Sequence, residues 1–139
     1  MEFNAKQVLE DVTLWIREWF EKNGKGCNAV LGVSGGKDSS VAAALCVRAL
    51  GKDRVIGVLM PNGVQDDIDV AYEVVDLLGI KSYEVNIKET FDAAMGAVSG
   101  ALGGVSEQTR VNLAPRIRMT VLNKSNGVTL PGTNPFLTR

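Results

Sequence analysis

Ser34-Gly35-Gly36-Lys37-Asp38-Ser39-Ser40 follows the apolar run Ala29-Val30-Leu31-Gly32-Val33 and leads into the helix-forming run Val41-Ala42-Ala43-Ala44-Leu45. That order predicts a strand, a glycine turn and a helix. Two adjacent glycines open backbone conformations closed to other residues and let N–H groups come close to a bound group. The helix start that follows offers unpaired N–H groups with the positive end of the helix dipole behind them, which suits an anion. Ser34, Ser39 and Ser40 add hydroxyl donors. Asp38 would repel a phosphate, so its place here makes physical sense with a cation such as Mg²⁺ between the two. A generic strand-to-helix turn is the plainer alternative, but serine, aspartate and the strand–helix setting coincide. No G-x-x-x-x-G-K-[ST] is present, which excludes a Walker loop, and no G-x-G-x-x-G, which excludes the dehydrogenase dinucleotide fingerprint.

Outward from this turn, helices and strands alternate. Before it, Asn4 can cap a helix with Gln7 in an approximate capping box. Val8, Val12, Trp15, Ile16, Trp19 and Phe20 form its apolar face, and Gly24 or Gly26 ends it. The two tryptophans read as core or subunit contact rather than a ligand platform. Strand one spans residues 28–33. The helix over residues 38–50 is apolar nearly all round and is expected to be buried. Strand two covers residues 55–60, and Pro61-Asn62-Gly63 turns the chain. A third helix places Ile68, Ala71, Val74, Val75, Leu77 and Leu78 inward and closes at Gly79; strand three covers residues 82–87. Right-handed crossovers then give a parallel sheet, with ligands at the carboxyl ends of its strands. The Ser34 turn, the 60–67 turn and the 86–89 turn share that rim. Further on, Phe91, Ala94, Met95 and Val98 suggest a short helix, Ser99-Gly100-Ala101-Leu102-Gly103-Gly104 a flexible stretch, and Pro115 the first turn of another helix. Arg116 and Arg118 diverge by roughly 200° on a helix, so at most one of them faces a given ligand.

The chain has 139 residues, enough for one domain with a single core. Its net charge of −1 gives no basic surface for nucleic acid. No apolar run reaches the ~20 residues of a membrane span, and the first residues lack signal-peptide character. Cys27 and Cys46 form no C-x-x-C pair, so a cytoplasmic protein with reduced thiols is expected. With no histidine, a Ser-His-Asp triad and a histidine metal site are both excluded.

The S-G-G-x-D-S pattern resembles the signature of the PP-loop ATP pyrophosphatases, which cleave ATP between its α- and β-phosphates. Within them the chain is similar to the ammonia-dependent NAD synthetases over three segments. These are Gly32-Val33-Ser34-Gly35-Gly36-Lys37-Asp38-Ser39-Ser40, Leu59-Met60-Pro61-Asn62-Gly63-Val64-Gln65-Asp66-Asp67-Ile68-Asp69 and Asn112-Leu113-Ala114-Pro115-Arg116-Ile117-Arg118-Met119. The resemblance implies a three-layer, doubly wound, Rossmann-like α/β fold over residues 1–139, with an amphipathic helix within 1–26 and a weakly defined segment over 99–139. ATP would lie on Gly32, Val33, Ser34, Gly35, Gly36, Lys37, Asp38, Ser39 and Ser40, with Met60 and Gln65 near the adenosine and Thr133 meeting ATP. Asp38 would hold Mg²⁺ and Arg116 would contact deamido-NAD. The nicotinate carboxylate would attack the α-phosphorus, and ammonia would displace AMP from the acyl adenylate. No protein nucleophile is implied, and a homodimer is. Family members are roughly twice as long, with more strands. This sequence stops near a fourth strand, carries no glutamate after Glu107, and lacks the second-half substrate lysines. The expectation is therefore a truncated or naturally shortened NAD synthetase that binds nucleotide weakly and turns over little or nothing by itself. A non-catalytic adenine-nucleotide or dimerisation module and a GMP-synthetase-like amidotransferase are the alternatives.

Overall fold

Residues 3–125 are described by the computed structural model. Helix α1 (Ala5–Asn23) starts where expected, with Asn4 Oδ1 accepting the Gln7 N–H at 3.1 Å. The reciprocal half of the capping box does not form, because the Gln7 side chain donates to Asp11. The Gly24 N–H closes the helix on Phe20 O. Phe20 packs on the core, whereas Trp15 is 63% and Trp19 44% exposed.

Strands β1 (Ala29–Gly32), β2 (Val55–Leu59) and β3 (Lys81–Glu84) form a parallel sheet in the order β1-β2-β3, with Ala29 opposite Val55 and Ile56 opposite Lys81. Helices α2 (Lys37–Leu50) and α3 (Ile68–Leu78) cross between them. Every residue of β2 is buried, as the apolar run of a central parallel strand requires. Side-chain alternation divides β2 between two faces. Val55 and Leu59 join Ala29, Val33, Ala71, Val75 and Ile80 in a core completed by α1, α2 and α3. Met60, of opposite parity, packs with Ile87, Phe91 and Ile117 against α4 (Lys88–Leu102) and α5 (Glu107–Ser125). Helices therefore cover both faces, which is the doubly wound arrangement read from the alternation.

Five details differ from the sequence reading. Helix α2 is amphipathic rather than buried all round: Ala43 and Ala49 are buried but Val41 is exposed, because only one side of α2 meets α1 and the sheet. Leu77 points to solvent at 86% exposure, since Ala71 and Val75 already define the inner face of α3. Strand β3 ends at Glu84, yet Val85 and Ile87 still donate to Leu59 O and Pro61 O, each at 2.8 Å, so pairing continues past the regular strand. The stretch expected to be flexible is the last turn of α4, which ends at Gly103 in the left-handed conformation. Pro115 lies inside α5, not in its first turn.

At the edge of the sheet, the Tyr72 hydroxyl donates to the Glu84 carboxylate and ties α3 to β3. That hydrogen bond, with burial and the carboxylate charge adding smaller effects, raises the phenol above its ordinary value. Burial likewise raises the Cys46 thiol and leaves it a protonated packing residue. No described helix is long and apolar enough to cross a membrane.

Leu59→Ala, which empties a fully buried position, is expected to cost about 3 kcal/mol of unfolding free energy in urea titrations. Leu77→Ala should change it by less than about 0.5 kcal/mol.

Candidate functional site

Strand β1 delivers the chain to the glycine turn at the rim of the sheet, and one further bond, from Val33 N–H to Val58 O at 3.0 Å, anchors the exit. Gly35 has φ +82°, and a Cβ there would stand 2.9 Å from the Ala71 nitrogen and 3.1 Å from the Val70 carbonyl carbon. The turn can lie against the start of α3 only because it carries no side chain. Gly36 then enters α2 with no side chain capping the helix. The first-turn N–H groups of Lys37, Asp38 and Ser39 thus lack helical acceptors and have the dipole behind them.

The serines hold this cradle in shape. The Ser34 and Ser39 hydroxyls lie 3.1 Å apart, the Ser34 N–H donates to Ser39 Oγ at 3.2 Å, and the Gly36 N–H donates to Ser34 Oγ at 3.3 Å. Ser40 Oγ donates to Gly36 O at 2.8 Å, which commits its hydroxyl to the backbone. Lys37 Nζ and the Asp38 carboxylate pair at 2.6 Å, almost fully in solvent.

Beside the cradle opens a cleft of about 590 Å³, room for a nucleotide-sized ligand. Gly32, Val33, Ser34, Gly36, Met60 and Gln65, all expected from sequence, line it. Gly35 shapes the turn behind the lining, and Lys37, Asp38, Ser39 and Ser40 occupy the adjoining first turn of α2. Gly32 fits closely: a Cβ on it would meet Met60 Cε at 2.9 Å. Gln65 reaches the rim on a loop held by Asn86, whose Oδ1 accepts the Gly63 and Lys88 N–H groups and whose Nδ2 donates to Gly63 O, each at 3.0 Å.

The opposite wall is α5. Pro115, Arg118, Met119 and Leu122 line the cleft, and Arg118 Nε donates to Met60 O at 3.0 Å. Arg116 is exposed on a different side of α5, and Thr133 lies outside the described residues. The sequence reading missed this wall, although spacings of three, four and seven from Pro115 mark one helical face. Leu113, Ala114, Ile117 and Val121 turn toward α4 instead, so α5 carries two partly apolar faces and no single strong stripe. Among the described residues no three His, Cys, Asp or Glu side chains come together as a metal site.

A parallel, doubly wound sheet with a bare glycine–serine turn at the end of its first strand defines the PP-loop class of Rossmann-like folds. Within that class the model of the NAD synthase family matches residues 8–130, and the chain belongs to that family. It is 40% identical over 116 residues to the NH(3)-dependent NAD(+) synthetase of Pyrobaculum aerophilum, covering 80% of this chain and 42% of the relative. The NH3-dependent NAD synthetase of Campylobacter jejuni, solved with nitrate, superposes with a TM-score of 0.77 at 28% identity, over 90% of this chain and 53% of that one. The glutamine-dependent NAD+ synthetase of Acinetobacter baumannii, solved with ADP, gives 0.80 at 26% identity, over 91% of this chain and 25% of that one. The chain thus spans about half the length of its ammonia-dependent relatives or less.

Gly35→Ala is expected to lower unfolding free energy by about 2 kcal/mol or more, because the left-handed backbone and the α3 contact both oppose a Cβ. Gly36→Ala, at φ −69°, should lose less than about 1 kcal/mol in the same denaturation experiment.

Proposed function

We propose that the cleft binds ATP and that the chain provides the nucleotide-binding part of an ammonia-dependent NAD synthetase. The observation that carries this reading is the bare-backbone cradle at the end of β1, opening directly into the cleft that Met60 and Gln65 line. The phosphates lie along the Ser34–Ser39 turn and the free N–H groups of α2, with the adenosine toward Met60 and Gln65. Asp38 fits Mg²⁺ as a single carboxylate ligand at the cradle, since this ion is commonly held by one or two carboxylates plus substrate phosphates. When bound, the ion supplies charge neutralisation; Asp38 must then exchange its Lys37 partner for it.

In the reaction proposed for the whole enzyme, the nicotinate carboxylate of deamido-NAD attacks the α-phosphorus of ATP. Pyrophosphate leaves, and ammonia then displaces AMP from the acyl adenylate to form the amide. The chain's own residues position and stabilise. The first-turn N–H groups of α2 compensate phosphate charge, and the serine network holds the turn in shape beforehand, so little reorganisation is needed. Arg116, exposed on α5, is proposed to meet deamido-NAD, and Thr133 to meet ATP. A cytoplasmic homodimer is the assembly proposed, and the solvent-facing Trp15 and Trp19 on α1 support a subunit contact. Coverage of about half the relatives' length favours a second reading for this polypeptide by itself, an adenine-nucleotide binder without turnover.

The test is incubation with ATP, Mg²⁺, deamido-NAD and ammonia, with calorimetric ATP binding measured alongside AMP and NAD production. ATP binding with little or no NAD is the result expected of the 139-residue chain. Absence of ATP binding would overturn the proposal, and AMP release with some other acceptor would redirect it to another PP-loop reaction. Asp38→Asn should weaken binding of ATP about tenfold with Mg²⁺ present and far less with the ion chelated. Equal affinities in Mg²⁺ would remove Asp38 from the metal role.

A further inference from the structure

Among the described residues lining the cleft there is one basic side chain, Arg118. The other candidates are elsewhere. Lys37 pairs with Asp38 outside the lining, and Arg116 is exposed on another side of α5. Arg118 is half-buried, and its only hydrogen bond among the described residues runs from Nε to Met60 O. A guanidinium has five N–H donors, so four, on the two Nη atoms, are left over. No carboxylate among the described residues forms an ion pair with it; Asp67, the one acidic side chain in the lining, accepts instead from Gln65 Nε2 at 2.7 Å.

A half-buried cation is costly to leave without a counter-charge, and here it faces a cleft shared with an anion-seeking cradle. The Nε bond also restrains the plane of the guanidinium, because the carbonyl that accepts it belongs to Met60, the residue that follows β2. A pinned guanidinium presents its Nη pair as a fork matched to two oxygens of one phosphate group. We infer that Arg118 is a substrate-contacting residue: its Nη pair takes a phosphate of the bound nucleotide, while Nε keeps α5 attached to the mouth of the cleft. The inference rests on the nucleotide reading of the cleft given above. It assigns the two arginines of the α5 segment different tasks, as their divergence around the helix requires.

The competing role is purely positional, with Arg118 propping Met60 and touching no ligand. The two are separated by titrating the full chain and its Arg118→Met and Arg118→Lys variants with adenosine, AMP, ADP and ATP. Competition against a fluorescent ATP analogue gives the affinities, and thermal unfolding of each variant is recorded in parallel. Phosphate contact predicts that Arg118→Met weakens ATP about tenfold or more and adenosine less than about twofold. The affinity gained as phosphates are added then flattens. Arg118→Lys keeps the charge without the fork and should recover part of the ATP affinity. Equal weakening across the series, or none, overturns the inference. If Arg118→Met does not fold, the same comparison is read from Arg118→Lys, where an ATP-selective loss supports the contact and a uniform or absent loss overturns it. A wild-type chain that binds no member of the series refutes the nucleotide reading itself, an outcome distinct from binding that is indifferent to Arg118.

Discussion

The close approach between the Gly35 backbone and the first turn of α3 governs this structure. Helix α3 cannot retreat, because Ala71 and Val75 are embedded with Val55, Leu59 and Ile80 in the main core. Nor can the turn, since β1 is hydrogen-bonded to β2 and the Val33 N–H extends that ladder by one bond. A peptide with no side chain at that point is the solution that lets both elements stay where their apolar faces put them. The anion-binding role proposed for this turn would make the same demand, because a bare backbone is also what lets a ligand come close.

A second set of contacts builds the cleft around that cradle. The regular strand β3 ends at Glu84, but Val85, Ile87 and the Asn86 side chain carry hydrogen bonding on to the loop that bears Gln65. On the far side, Ile117 buries against Ile87 and Phe91 while α5 lies against β1, and Arg118 fastens the helix to Met60, just past β2. The walls come from segments far apart in sequence. Each is held by main-chain acceptors or buried side chains rather than by surface ion pairs, whose contribution in water is small. Membership in the NAD synthase family fits this division of labour, with the matched region running from α1 through α5.

Local pattern was a sound guide wherever neighbouring residues decide the outcome. Asn4 capping α1, Gly79 closing α3 and the strand–turn–helix around Ser34 follow from side-chain chemistry within a few positions. Where partners from elsewhere decide, pattern alone misled. Alanine-rich α2 reads as apolar all round, but only one of its sides meets other elements. The glycines near residue 100 are helix breakers by propensity, yet α4 continues to Leu102 before Gly103 ends it. Pro115 reads as a helix start, the cheapest position for a residue without an N–H, whereas α5 begins eight residues earlier at Glu107 and carries it inside.

The amino-acid sequence by itself determined the α/β order, the parallel sheet and the bare glycine turn, because each rests on periodicity or backbone freedom encoded within a short window. Which arginine enters the cleft was not encoded that way. Arg116 and Arg118 are alike in chemistry and nearly adjacent. The choice between them depends on the rotation of α5 about its axis, and that rotation is set by Ile117 burying against Ile87 and Phe91 of distant elements. Only the assembled tertiary structure fixes such an angle, since the residues that set it meet only after the chain has folded.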